Sequence, residues 1–398
     1  MRRAAIVTST VALATTAALV LTPVVAGARR DGGRTRAACG PSSFTRAALP
    51  PLGPGTGELF GVDALSTSAA WAVGSRFDTD VRTSVPYALR WDGSAWTDVT
   101  VPYPGTSQGT ALLAVTGSAP NDVWAVGTKT IPNNLSRTFA SHWDGSTWST
   151  VATPNAGNPR TGVLSGVVAI AADDVWAVGS TSGQGGPERT LILHWDGTSW
   201  SVVSSPNKGP WPNGLADAAA VSADDVWAVG AWRTKAFVSR TLTVHWDGAS
   251  WRRVPSIDPG VSARDVDLSG VSAVATDEVV AVGSRGLKGL AERWDGSAWA
   301  VEPTSNPSGN GGLSDVVAVG SFEAWAAGSW LDVAEQRLAT QIQRWNGSAW
   351  TVAPTQHVGA SDNGLAAIDG VAAHQWAVGY RFNATGLRVL PLMLERCS

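Results

Sequence analysis

A five-residue segment, V-W-A-V-G or a close variant, recurs seven times along this chain. It places tryptophan at Trp71, Trp124, Trp176, Trp227, Trp325 and Trp376, with Val280 standing in for it once. A second segment, W-[DN]-G-x-x-W, begins at Trp91, Trp143, Trp195, Trp246, Trp294 and Trp345. Most copies lie 51 to 53 residues apart, and the fifth repeat is shorter. Self-similarity near a period of 50 marks a propeller or a solenoid. The 3.6-residue periodicity that a helical solenoid needs is absent.

Each period reads as four strands. In the third copy these are Leu164 to Ile170, Val175 to Ser180, Thr190 to Trp195 and Trp200 to Ser204, here strands A to D. Asp196-Gly197 lies between C and D and is a strong hairpin signal. Four short antiparallel strands per repeat make one propeller blade. The expected fold is therefore all-β, a seven-bladed β-propeller of four-stranded antiparallel blades. The last repeat ends without a strand D. Phe44 to Pro50 aligns with Trp96 to Pro102, so the N-terminal strand is expected to complete the seventh blade and close the ring.

Composition agrees with a packed, turn-rich protein. Charged residues make up 15% and the formal net charge is −3, which lacks the basic excess of a nucleic-acid binder. Arg2 and Arg3 precede an uncharged stretch from Ala4 to Val25 and an Ala26-Gly27-Ala28 cleavage-type site. Residues 1–28 thus read as a secretory signal peptide, 29–38 as a polar linker and 39–398 as the propeller. The protein is expected to be extracellular, with no membrane association after cleavage.

The two cysteines fit ring closure in an oxidising compartment. Cys39 lies five residues before Phe44, as Trp91 lies five before Trp96, and Cys397 aligns with the first Trp of W-D-G-x-x-W. A Cys39–Cys397 disulfide is expected.

The repeat resembles those of secreted bacterial seven-bladed propellers, broadly the kelch and galactose-oxidase central-domain type. Kelch blades carry a paired Gly after the second strand, whereas this chain has one, such as Gly179. The W-D-G-x-x-W hairpin is also similar to the Asp-box of sialidase-like propellers, one residue shorter between Asp and Trp. The resemblance implies an architecture, and propellers host many functions.

Eighteen of the 21 Trp fall on repeat positions and read as fillers between wedge-shaped blades, each pairing its N–H. The residue before the C-strand Trp and the residue two before the B-strand Trp lie at one end of a blade. They are expected to form five structural pairs: Asp122–His142, Asp174–His194, Asp225–His245, Glu278–Arg293 and Glu323–Arg344. Three histidines in successive blades do not make a metal site. At a radius of ~15 Å neighbours stand roughly 13 Å apart, against ~2 Å for a Zn–N bond. No metal or cofactor is expected.

Function is expected on the opposite rim, where the B–C and D–A connections vary in length. Trp211, Trp232 and Trp330 fall in these connections. Two residues after the B-strand Gly come Arg76, Lys129, Thr181, Trp232, Arg285, Trp330 and Arg381. Trp211, Trp232, Trp330, Arg76, Lys129, Arg285 and Arg381 are the candidate ligand-binding residues, with Trp211 and Trp232 expected to be neighbours. The competing readings are a propeller hydrolase or lyase acting on polysaccharide, and a protein-interaction scaffold. The carboxylates an enzyme would use are Asp217 and Asp315, at equivalent positions two blades apart. Their backbones are expected roughly 11 Å apart, beyond the ~5–9.5 Å of glycosidase pairs. The composite expectation is a monomeric extracellular binding protein whose partner is a glycan, a polysaccharide or another protein.

Overall fold

The computed structural model describes residues 43–397, apart from 106–107, 134, 155–159, 184, 258–264, 307–309, 357 and 360. The expected leader 1–28, the linker 29–38 and Cys39 lie outside the described residues. Among those described, 28 strands pair into seven four-stranded antiparallel sheets. Blades 1 to 6 span 57–98, 109–151, 160–203, 213–254, 266–302 and 311–352, each ordered A-B-C-D. Strand A of every blade packs on strand A of the next, and that of blade 7 packs on that of blade 1. The result is a closed seven-bladed β-propeller with the A strands innermost.

Blade 7 consists of Asn363–Val371, His374–Phe382 and Val389–Cys397, with Thr45–Arg46 as strand D. Thr45 pairs opposite Glu395 and Arg46 opposite Leu394. The same segment also grips blade 6: the Phe44 amide donates to the Pro354 carbonyl (3.0 Å) and the Gln356 amide to the Phe44 carbonyl (2.8 Å). Phe44 is fully buried, edge-on to Trp325 at 5.4 Å, in the role of a D-strand Trp.

The register corrects the alignment of the last strand by one residue. Trp376 faces Glu395 and Gln375 faces Arg396, whereas in blade 3 Trp176 faces His194 and Val175 faces Trp195. Arg396 therefore holds the C-strand Trp position, and Cys397 holds that of the hairpin Asp. The apolar run Leu392-Met393-Leu394 sets this register, because it must occupy the three buried core positions that Leu191-Ile192-Leu193 fill in blade 3.

The tryptophans pack as expected between blades. The B-strand Trp of one blade meets the C- and D-strand Trp of the next. Trp124 lies 4.7 Å from Trp195 and 5.1 Å from Trp200, and Trp376 lies 5.9 Å from both Trp91 and Trp96 across the closure. Pairing of every indole N–H does not hold. Trp91, Trp195, Trp246 and Trp294, all in C strands, donate to a carbonyl of the A–B turn. Indoles on strands B and D, such as Trp124, Trp200, Trp227 and Trp299, are buried with no oxygen or nitrogen partner among the described residues. They face rings rather than backbone, and T-shaped contacts at 87–88° bring ring edges to π faces. In blade 5, where Val280 replaces the Trp, the Arg293 guanidinium lies 4.9 Å from the Trp345 ring centroid.

Two repeated glycines have steric reasons. Strand A bulges after its leading Leu, between Leu164 and Gly166 in blade 3, which presses its backbone on strand B. A Cβ on Gly179 would stand 2.1 Å from the Val163 carbonyl oxygen. The Asp-Gly of the C–D hairpin in blades 1 to 5, and Asn346-Gly347 in blade 6, form Asx turns. Asp92 Oδ1 accepts from the Ser94 and Ala95 amides (2.8 and 2.9 Å), and Gly93 takes φ 94°. Hydrogen bonds from the Ser94 hydroxyl and these two amides pull the Asp92 carboxyl down to about 2.

Candidate functional site

At the A–B turn end, called lower here, all five structural pairs form. His142, His194 and His245 approach Asp122, Asp174 and Asp225 at 2.5, 2.8 and 2.7 Å through Nε2. Arg293 meets Glu278 at 3.2 Å and Arg344 meets Glu323 at 3.0 Å. Each His ring also lies against its blade's B-strand Trp, at 4.2 to 4.5 Å between centroids. The pairs thus fix the orientation of indoles that hold neighbouring blades together.

The channel is lined by more acid than repeat comparison exposes. Asp217 Oδ2 accepts from the Val271 amide of blade 5 (2.9 Å), and Asp315 Oδ2 from the Ile368 amide of blade 7 (2.9 Å). Two carboxylates that sequence reasoning missed do the same work two residues further along strand A. Asp369 Oδ2 accepts from the Ala64 amide of blade 1 (2.6 Å), and Asp63 accepts from the Gly117 amide of blade 2. Hydroxyls complete the series: Thr116 takes the Ala169 amide (3.2 Å) and Ser272 the Ala318 amide (3.0 Å). Six of the seven inner strands are tied in this way to the next blade. Close approach also explains Gly166 and Gly270, where a Cβ would stand 2.6 Å from the Cα of Asp217 and of Asp315.

Burial pushes Asp217 and Asp369 up to about 6, and raises Asp63 and Asp315 well above the usual carboxylate range. Mutual repulsion adds to burial, from Asp369 on Asp63 and from Asp217 on Asp315. Among the described residues no three His, Cys, Asp or Glu side chains converge as a metal-holding group. Asp217 and Asp315, the candidate catalytic carboxylates, are thus tied to backbone amides between blades.

The upper rim gathers the candidate binding residues unevenly. Trp232 pairs opposite Asn213 in blade 4, and the Lys208 ammonium stands 4.1 Å from its ring centroid. Trp211 contacts the Phe237 ring at 5.5 Å and 64°, so the two loop tryptophans flank Asn213, each with its own partner. Trp330 is half-buried opposite Gly311. Arg76 is ion-paired with Asp98 and lies 5.4 Å from the Tyr87 ring. Lys129 stands opposite Arg137, and Arg285 is exposed. Arg381 is half-buried, with its pKa lowered by burial and then by the nearby Arg46 charge.

Sequence reasoning missed Phe237, which is 59% exposed at φ 58° on the B–C turn. The B–C turns of blades 1, 2 and 6 also hold a non-glycine residue at positive φ: Arg82, Asn133 and Gln336. A bulky aromatic at positive φ was the available signal, visible only once the turn geometry is known.

No family model matches the chain, and no curated protein matches it. Solved structures do share the fold. A structure of YCF48 bound to D1 peptide matches at 12% identity and TM-score 0.54, covering 89% of this chain and 96% of that one. YCF48 from Cyanidioschyzon merolae matches at 14% identity and TM-score 0.54, covering 89% and 99%. The GH74 xyloglucanase from Xanthomonas campestris matches at 14% identity and TM-score 0.54, covering 88% of this chain and 55% of that one. At these identities the likeness is one of fold, and it defines the class: a β-propeller.

Proposed function

We propose that this chain is an exported, monomeric recognition propeller of the kelch and galactose-oxidase central-domain type, which binds carbohydrate through its upper rim. One observation carries the reading. The B–C turns of five consecutive blades, 4 to 7 and 1, expose Phe237, Leu287, Val333, Leu387 and Val81, with cations and half-buried Trp between them. Aromatic faces suit the apolar face of a sugar, and Trp loses little rotamer entropy on binding. A protein ligand is the second reading, favoured by the peptide-bound YCF48 structure of the same fold.

The test is a polysaccharide and glycan binding screen of the exported protein, with hydrolysis followed in parallel. Binding without turnover, weakened at least tenfold in a Trp211→Ala, Trp232→Ala variant that keeps its circular dichroism, is the expected result. Parental affinity in that variant moves the site elsewhere.

Export also carries the proposed Cys39–Cys397 bridge. Cys397 ends strand C of blade 7 opposite His374, next to the strand that closes the ring. A non-reducing digest should yield a linked 39–397 peptide, and two free thiols in exported protein refute the bridge. Closing so long a loop has a ceiling of about 5–6 kcal/mol in the chain-entropy model.

A further inference from the structure

Register in blade 7 brings two arginines to one side of the sheet. Arg381 of strand B stands opposite Leu390 of strand C, and Arg46 of the closing strand stands opposite Leu394. Residues directly opposite share a sheet face, and so do alternate residues along a strand. Both arginines therefore lie on the face of Ala377, Leu392 and Leu394, which packs on Val317, Trp325 and Ile342 of blade 6. Phe44, two residues before Arg46, is buried in the same cluster. The pair thus sits on the seam where the ring closes.

Among the described residues neither guanidinium has a hydrogen-bond or ion-pair partner. Arg381 is half-buried, and its Nε is buried with nothing to donate to. The charge that acts on it is that of Arg46, whose repulsion adds to burial in lowering its pKa. Carboxylates near this end of the seam are engaged elsewhere. Asp362 accepts from the Leu338 amide (2.8 Å), and Glu335 pairs with Arg337 (2.6 Å). Glu395 lies on the opposite face of strand C, beside His374 (3.6 Å). Other rim cations are satisfied: Arg76 by Asp98, and Arg388 by the Gly55 carbonyl (2.6 Å). His357 lies outside the described residues. A half-buried guanidinium with an unmet donor and a like charge beside it is costly, and an anion between the two relieves both terms. Gln356 adjoins them, because its Oε1 accepts from the Arg46 amide (2.7 Å), and this leaves its Nε2 as a further donor.

We propose that Arg46 and Arg381 form an oxyanion site that takes a carboxylate or sulfate group, with Gln356 as a neutral donor beside them. The guanidinium fork matches such a group bidentately. A bound anion joins strand D of blade 7 to strand B, so filling the site also fastens the strand that closes the ring. The site stands without the carbohydrate reading. A free inorganic anion and an acidic polysaccharide present the same chemistry, and the experiment separates them.

The experiment titrates the exported protein with sodium sulfate, trigalacturonate and the methyl ester of trigalacturonate. Ionic strength is held constant with chloride, and both heat of binding and melting temperature are read. Sulfate should bind and raise the melting temperature saturably. Arg381→Gln should weaken sulfate about tenfold, the scale of one charge-assisted contact, and should abolish the saturable rise. Arg46→Gln should do the same. The ligand-free Arg381→Gln variant should melt no lower than the parent, because a repelled, half-buried charge is gone, and this separates lost binding from misfolding. Arg252→Gln removes an equal charge at the lower end of blade 4 and should leave binding unchanged. Equal losses in Arg252→Gln and Arg381→Gln show diffuse attraction and overturn the site. Parental sulfate binding in Arg381→Gln overturns it as well. Trigalacturonate that binds well above its ester, and loses that margin in Arg381→Gln, upholds the site and makes an acidic sugar its source. Sulfate binding lost in Arg381→Gln, with neither sugar bound, upholds the site and removes the sugar. Acid and ester bound alike, with no sulfate binding, overturns the site and leaves the carbohydrate reading standing.

Discussion

Trp227→Ala lowers the free energy of unfolding by about 3–5 kcal/mol, the range for deleting a large buried aromatic. Trp227 is a fully buried side chain whose ring meets His245, Trp294 and Trp299 at 4.3, 5.1 and 5.4 Å. It packs with Val229, Val266, Leu268 and Val271, so the cavity opens between blades 4 and 5. Two hydrogen-bonded sheets line that cavity, and neither can move inward without shifting the whole ring, so little of the void collapses. Denaturant unfolding followed by circular dichroism reads the loss. Trp330→Ala, at a half-buried rim position, is the control and should cost about 1 kcal/mol or less. Equal losses in the two variants would show that the interblade clusters are not where the stability lies.

The second large effect has the opposite sign. Asp217→Asn and Asp369→Asn each stabilise the protein at pH 7, by about 1–3 kcal/mol from the size of the upward pKa displacement. The amide oxygen of Asn still accepts from Val271 or Ala64, while the buried charge is removed. The pH profile follows from the same groups. A carboxyl whose folded pKa lies near 6, above an unfolded value near 3.8, binds its proton more tightly when folded. Its contribution is therefore greatest below pH 4 and is lost as pH rises through 6. The hairpin carboxylates act oppositely. Asp92 and Asp196, held down at about 2, contribute above pH 4 and lose that contribution as pH falls toward 2. The melting temperature should rise between pH 7 and pH 5 and fall again below pH 4. The Asn variants should flatten the first limb alone. A melting temperature that climbs steadily from pH 5 to pH 8 would contradict this account, as would Asn variants less stable than the parent at pH 7.

Much of the molecule was legible because each blade solves the same local problem with the same residues. The hairpin Asp-Gly, the B-strand Gly and the Trp triplet have causes lying within about 50 residues, so the period alone yields seven blades and four strands in each. The Asp–His and Glu–Arg pairs were readable for the same reason, since strands B and C adjoin in sequence and in space. Repeat alignment sets the last strand one residue out of register because Arg396 and Cys397 replace the Trp-Asp that anchors it elsewhere.

The channel was decided by tertiary structure. Asp217 and Asp315 stand two residues after the leading Leu of strand A, while Asp63 and Asp369 stand four after it. Aligned repeats therefore show two acids in one column where the ring assembles four. Both positions lie on the same strand face beyond the bulge, and both reach an amide about 50 residues away in the next blade, or across the ring closure for Asp369. Phe237 belongs to the same class: a turn with positive φ gives it its place, and that geometry is not written in the repeat. The sequence determines what every blade must be, because that chemistry is local and recurs seven times. The carboxylates that share a channel and the side chains that share a rim are fixed only when the ring closes, because their neighbours come from other blades.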